Sequence, residues 1–390
     1  MRDLARRIDS ATPPGRDRAV DALRALAILG VVLGHWLVTA LVEDSGTVRA
    51  ASPLHYMPQL APVSWMFQTL AVFFLVGGLV GAKSYTAGRA RGATYGQWLR
   101  ARTARLGRPV AAVLVVWAVA AGVMLMSGAG PETVRALLKL ALSPLWFLLV
   151  FAALTAATPL MAKLHPLWPL AFVLHVDLVR FGLDGPAWPG WLNVAAGWLV
   201  PYCLGAAWAR GSLRGRTAGW GLLVGGALAT ALLVLFAGYP ASMVGVPGAA
   251  VSNLNPPTLA AVTFGLAQCG AALLLLGPLR RVLARPAVWA AVALVNLSAM
   301  TVFLWHQTAL MAVTAVGLLA GGPLPGLHTV PDGWGWVSAR SAWLPVFAGA
   351  LWVCRAAFRT YEQGRPREAL KAGRVVCEGH PAQEARVRRA

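Results

Sequence analysis

The chain has 390 residues, of which 58% are hydrophobic and only 12% are charged, with a mean hydropathy of +0.63. Soluble domains carry about 25% charged residues, so the composition excludes an ordinary water-soluble globule and predicts a polytopic helical membrane protein. The net charge of +20 would suit a nucleic-acid partner, but the basic residues sit in short segments between apolar runs. That is the pattern of cytoplasmic loops, and no nucleic acid is expected.

A basic segment, 1–18, precedes the first apolar run. No small-residue cleavage site follows that run, so it reads as a retained helix and not as a signal peptide. Runs near the roughly 20 residues that cross a bilayer predict spans at 20–42, 62–82, 109–129, 143–162 and 164–183. Five more follow at 191–209, 218–237, 258–277, 293–319 and 338–358. The fifth is the least apolar, since it holds Asp177, Arg180 and two prolines. Residues 131–142, "PETVRALLKLAL", are amphipathic and are expected to rest on the outer surface. The outer loop 238–257 has no charge, which suits contact with a neutral acceptor or a plain connector. From 359 the chain is polar and basic, and is expected to be disordered or to lie along the anionic inner leaflet.

Ten spans put both termini on one side. The loops on that side hold 29 Lys and Arg, and the opposite side holds five, namely Arg49, Arg135, Lys139, Arg180 and Arg340. The basic side is cytoplasmic. The predicted fold is therefore an all-α bundle of about ten transmembrane helices, with both termini cytoplasmic. Residues 19–358 form the membrane domain, 1–18 a basic cytoplasmic segment and 359–390 a basic tail, in the inner (plasma) membrane. The four cysteines show no CxxC or zinc-like spacing, so neither a disulfide framework nor a metal site is expected.

The first span, "VDALRALAILGVVLGHW", carries ionisable groups where a span can least afford them. Arg24 and His35 are eleven residues apart, which returns to within about 20° of one direction with a rise of about 16 Å. Asp21 shares that face at the cytoplasmic end. Either Arg24 snorkels and pairs with Asp21 at i,i+3, or it grips a ligand. His35 is either a hydrogen-bonded core residue or a base. A second imidazole, His306, lies in "FLWHQTAL" beside Trp305; each reads equally as packing. Arg102, Arg105 and Arg108 form a drifting basic stripe at intervals of three, explained either by positive-inside topology or by phosphate binding. Asp177 either orients an acceptor or pairs with Arg180. Asn253 in "SNLNPPT" either binds hydroxyls or caps the eighth helix. His55, His165, His328 and His380 are placed at the surface and given no role.

The first span, with Arg, ten residues, then His, resembles the opening helix of the acyltransferase family 3 membrane proteins. "LAVFFLVGGLVGAKSY" resembles that family's FF-x-x-SG segment, with Gly77 where serine is usual. "PLWFLLVFAALTAATPL" resembles its fourth span, and "VNLSAMTVFLWHQTAL" its late aromatic-Leu-Trp-His segment, with Phe303 where tyrosine is common. The glycine-rich second span and "SNLNPPT" resemble a subgroup from high-G+C bacteria. The matches run from about Arg18 to Phe358. The resemblance implies O-acyl transfer from cytoplasmic acyl-CoA, with acetyl-CoA the leading donor, to a hydroxyl of a carbohydrate, lipid-linked or secondary-metabolite acceptor. No permanently bound cofactor is expected.

The residue chemistry fits. A hydroxyl attacking a thioester needs a base, and imidazole is suited to that near neutral pH. On this reading His35 is the base, with His306 as a second catalytic group. Arg24, Arg102, Arg105 and Arg108 hold the CoA phosphates, while Asp21, Asp177, Trp305 and Asn253 contact substrate. A proton-coupled transporter or flippase would also bury His, Asp and Arg, but it predicts inverted repeats or broken helices, and the sequence shows neither. A third alternative is a non-catalytic scaffold.

Overall fold

The structure, a computed structural model, describes residues 2–44, 47–213 and 215–363, with the side chains of Arg2, Asp44, Thr47, Arg105 and of 360–363 outside the description. It is built almost entirely of helices. The chain opens with α1 (Arg2–Ser10) and α2 (Arg18–Val38), followed by β1 (Ala40–Asp44) and β2 (Thr47–Ala51). Short α3 (Pro53–Tyr56) and α4 (Ala61–Ser64) lead to α5 (Leu70–Ala90), α6 (Tyr95–Met126) and α7 (Pro131–Leu142). Next come α8 (Leu145–Ala156), α9 (Thr158–Met161), α10 (Leu167–Asp177), α11 (Asn193–Ala209) and α12 (Gly215–Phe236). The chain ends with α13 (Leu259–Val282), α14 (Pro286–Leu297), α15 (Ala299–Gly317) and α16 (Trp334–Gln363). Among the described residues, nine helical segments are long and apolar enough to cross a membrane.

Local chemistry sets several boundaries. The Asp17 carboxylate caps α2 by accepting from the Ala19 N–H. Thr94 and Gln97 form a capping box at the start of α6. The glycines of α5 have a packing cause. A Cβ at Gly78 would strike the Tyr202 carbonyl of α11, and one at Gly205 would strike the Leu75 backbone. Small residues let α5 and α11 cross at backbone contact, the usual means of helix association in lipid.

Burial separates an inner from an outer ring. The share of each span buried within the protein is 50% for α2, α5, α13 and α15, against 17% for α6 and α12 and 11% for α16. The outer helices expose Leu114, Val115 and Val119, and Leu228, Leu232 and Leu235. Surfaces that are apolar all round belong to membrane spans. α2 runs through the middle and packs on α5, α13, α14, α15 and α16, so its residues are positioned by five neighbours.

Four segments differ in kind from the sequence expectation, beside shifts in the second and third spans, which run over Leu70–Ala90 and Tyr95–Met126. The first span ends at Val38, not 42, and gives way to the β1–β2 hairpin, which pairs Ala40 with Ala51. The predicted fifth span is an 11-residue α10 continued by a π turn, Leu178–Gly182. Its Asp177 is drawn into hydrogen bonds with α11, α13 and the 238–258 loop. The predicted ninth span is broken at Ser298, whose Oγ donates to the Leu294 carbonyl and accepts from Arg355 Nε. Back-bonding of this kind bends or interrupts helices. Residues 131–142 do not merely rest on a surface, since α7 buries Val134 and Ala141 and packs on α6, α15 and β2. The predicted tail lies largely beyond the described residues.

Candidate active site

His35 stands one turn before the end of α2, and His306 faces it from α15. Their ring centroids are 5.1 Å apart, with the planes tilted by 40°. The Trp36 indole donates to the His306 carbonyl at 2.9 Å and seats the two helices against each other. His306 and Gln307 are fully buried, whereas His35 keeps part of its surface open. Phe303 lies 6.1 Å from His306 and 5.1 Å from Phe147, so the pair is backed by aromatic rings.

The hydrogen bonds of the two rings differ in kind. His306 Nδ1 is 2.7 Å from the Phe303 carbonyl. A carbonyl oxygen only accepts, so Nδ1 carries the proton and Nε2 of the neutral ring is bare. That Nε2 is buried and takes no hydrogen bond. The Gln307 amide nitrogen lies 3.1 Å from His35 Nδ1, and Gln307 Oε1 is also buried without a partner. Unsatisfied buried polar atoms are uncommon and costly, and they concentrate where a ligand or a reaction completes them.

At the other end of the same face, about 16 Å away along the helix, Arg24 donates from Nε to Asn296 Oδ1 at 2.6 Å. Its Nη2 reaches Asp21 Oδ1 at 3.1 Å. Asp21 also receives Arg16 Nε at 2.6 Å, and Asn296 Nδ2 donates to the Asp21 carbonyl at 2.8 Å. The i,i+3 pair is therefore present, and Asp21 is committed to two arginines. Arg24 still leaves 31% of its side chain exposed. Arg102 donates to the Val80 carbonyl at 3.3 Å, and its charge acts on Arg24. Arg108 sits on an exposed face of α6, and the Arg105 side chain lies outside the described residues. Beside this end, outside the spans, Asp17 is pushed up by partial burial and pulled further down by Arg280 and the Ala19 and Val20 N–H groups. Its carboxyl therefore titrates below the usual range.

The remaining expected site residues have protein partners away from the imidazole pair or beside it. Asp177 accepts from Asn193 Nδ2 at 3.1 Å, Tyr239 OH at 3.1 Å and the Leu259 N–H at 2.6 Å. Arg180 stands 3.8 Å away. This is a separate polar cluster that ties α10 to α11 and α13. Asn253 donates to the Pro240 and Ser242 carbonyls and accepts from Thr258 Oγ1 at 2.7 Å, which pins the 238–258 loop onto the start of α13. Trp305 stacks on Phe358 with centroids 3.9 Å apart. His328, expected at the surface, is buried: its Nε2 donates to the Thr314 carbonyl at 2.8 Å, and Leu324 N–H donates to its Nδ1. The loop folds inward because that ring satisfies both partners. Among the described residues no group of His, Cys, Asp or Glu could hold a metal ion.

Three residues at the site escaped sequence reading. Asn296 and Gln307 are amides within apolar runs, a signal that was present in the polar residues of "VNLSAM" and "WHQTAL". Arg340 is completely buried and donates to the Trp36 and Gly326 carbonyls at 2.6 and 2.9 Å, and to that of Thr39. It closes the end of the helix that carries His35.

No curated protein and no solved structure matches the chain. A family model described as an acyltransferase domain matches residues 17–359, from the cap of α2 to the last turns of α16. The matched stretch contains the imidazole pair and every described span, and the chain belongs to the acyltransferase family 3 of multi-pass membrane proteins.

Proposed function

We propose that the chain transfers an acyl group from acyl-CoA to a hydroxyl of a carbohydrate, lipid-linked or secondary-metabolite acceptor in the inner membrane, at the His35–His306 pair. The acceptor oxygen attacks the thioester carbonyl carbon while His35 takes the hydroxyl proton. The tetrahedral intermediate collapses as the C–S bond breaks, and the sulfur leaves with that proton as free CoA. The products are an ester and a thiol, and no other reactant is required.

The single observation that carries this reading is a partly open imidazole packed against a second, fully buried one at span depth, within an acyltransferase domain. A neutral imidazole that presents a bare nitrogen is the side-chain group best matched to this proton transfer near neutral pH. Arg24 and Arg102, on the basic and hence cytoplasmic side, supply charge for CoA phosphates about half a bilayer below the rings. His306 Nε2 accepts a hydrogen bond from the acceptor or holds it in place.

The test uses the full chain in lipid vesicles with radiolabelled acetyl-CoA and extracted cell-envelope glycans and lipids. The reading expects label in a base-labile ester. Proton-linked flux of an envelope precursor without ester formation would replace it with transport.

A further inference from the structure

The hydrogen bonds of the imidazole pair leave one question that the reaction itself must answer: which nitrogen of His35 is free to take a proton. Nδ1 is occupied by Gln307, so the nitrogen left to meet substrate is Nε2. With the amide N–H donating to Nδ1, the neutral ring must hold its own proton on Nε2. In that state Nε2 donates and cannot act as a base. His306 has no such freedom, because the Phe303 carbonyl can only accept and fixes its tautomer.

Gln307 differs from a carbonyl in having two ends. Its terminal torsion is broad and roughly two-fold, so a half-turn replaces the amide nitrogen by Oε1 at the same place. The oxygen can only accept, which requires the proton on His35 Nδ1 and leaves Nε2 bare. Each arrangement makes one hydrogen bond to His35 Nδ1. In the one observed, Oε1 is buried without a partner; after the half-turn Oε1 gains Nδ1–H and the amide N–H gives up its own. We propose that Gln307 is the positioning residue for His35, holding the ring through Nδ1 and deciding, by the end of the amide it presents, whether Nε2 carries the proton or is bare to take one. The exchange moves one proton from Nε2 to Nδ1 through water and changes no net charge. It offers a resting form in which the thioester meets a hydrogen-bond donor and no base.

This inference rests on His35 being the base, and the experiment separates the two. Histidine-labelled protein in nanodiscs is compared by ¹⁵N NMR as wild type, Gln307→Glu and Gln307→Leu, with His35→Ala used to assign the His35 signals. In Gln307→Glu the carboxylate only accepts, so Nδ1 should become protonated. In Gln307→Leu the His35 ring should show a mixture of tautomers. Acetyl transfer from acetyl-CoA to the envelope extract is measured in parallel across pH. Gln307→Leu should lower kcat by about tenfold or more with the acetyl-CoA KM unchanged. Gln307→Glu should retain activity, with the acid limb of its pH profile moved to higher pH, because a carboxylate favours the charged ring. Thermal melts of both variants exclude misfolding as the cause. If both variants match wild type in the His35 ¹⁵N signals and pH profile while His35→Ala is inactive, the inference falls and the base assignment stands. If His35→Ala retains transfer, the base assignment falls first.

Discussion

Replacing Arg340 by Met should destabilise the protein and loosen the end of α2. The guanidinium is buried, lies 4.7 Å from the Phe347 ring and 5.5 Å from that of Trp336, and serves three main-chain carbonyls. Trp36 contributes one of the last four carbonyls of α2, which have no partner within the helix. Removing the donor orphans three acceptors at about 1–3 kcal/mol each. Relief of a buried charge returns part of that, for a net loss of about 3 kcal/mol. Met keeps the contacts with the two rings, so the loss reports on the hydrogen bonds. Arg340→Lys should fall between the two, because an ammonium lacks the planar fork that reaches several carbonyls together. The assay is the fraction of monodisperse protein in detergent after stepwise heating. The expected result is a midpoint lower by several degrees for Arg340→Met, with a smaller fall for Arg340→Lys. A wild-type midpoint for Arg340→Met would refute the capping role.

Gly205→Val should prevent α5 and α11 from closing, since the added carbons meet the Leu75 and Leu79 main chain, which cannot swing aside. No folded protein should elute, whereas Gly221→Ala, in open space, should elute as wild type. Asp17 titrates below its ordinary range, so its contribution is complete above the unfolded value and lost as pH falls through the folded one. Melts should show wild type more stable than Asp17→Asn near neutrality, with the two curves converging below about pH 4; a constant gap would count against the Arg280 pair. Arg102→Glu should raise the acetyl-CoA KM several-fold with little change in kcat, and an unchanged KM would remove Arg102 from donor binding.

Much of this architecture is legible in the sequence because lipid imposes one strong rule, that spans are long and apolar. That His35 and His306 are candidates is legible for the same reason, since an imidazole at span depth has few explanations; that their rings meet is shown only by the structure. What stayed hidden depends on single contacts. Hydropathy runs unbroken through 293–319, yet the hydroxyl of Ser298 and the reach of Arg355 end one helix and start another. At the end of the span at Val38, Arg340, over three hundred residues away, takes the Trp36 carbonyl inside the helix and the Thr39 carbonyl just past it. Asp177 and Asn253 read either as substrate ligands or as structural residues, because polar side chains near spans are conspicuous. The structure gives both protein partners, and those from distant segments, such as Asn193 and Leu259 for Asp177, lie beyond any spacing rule. Gln307 was passed over beside a more reactive neighbour.

The most direct measurement is the single-turnover rate of acetyl transfer by vesicle-inserted His35→Ala, compared with wild type at equal protein. Removing a general base costs about 10²–10⁴ in rate. The account predicts a loss of that size, with normal insertion and a wild-type melting midpoint. Transfer at the wild-type rate would contradict it.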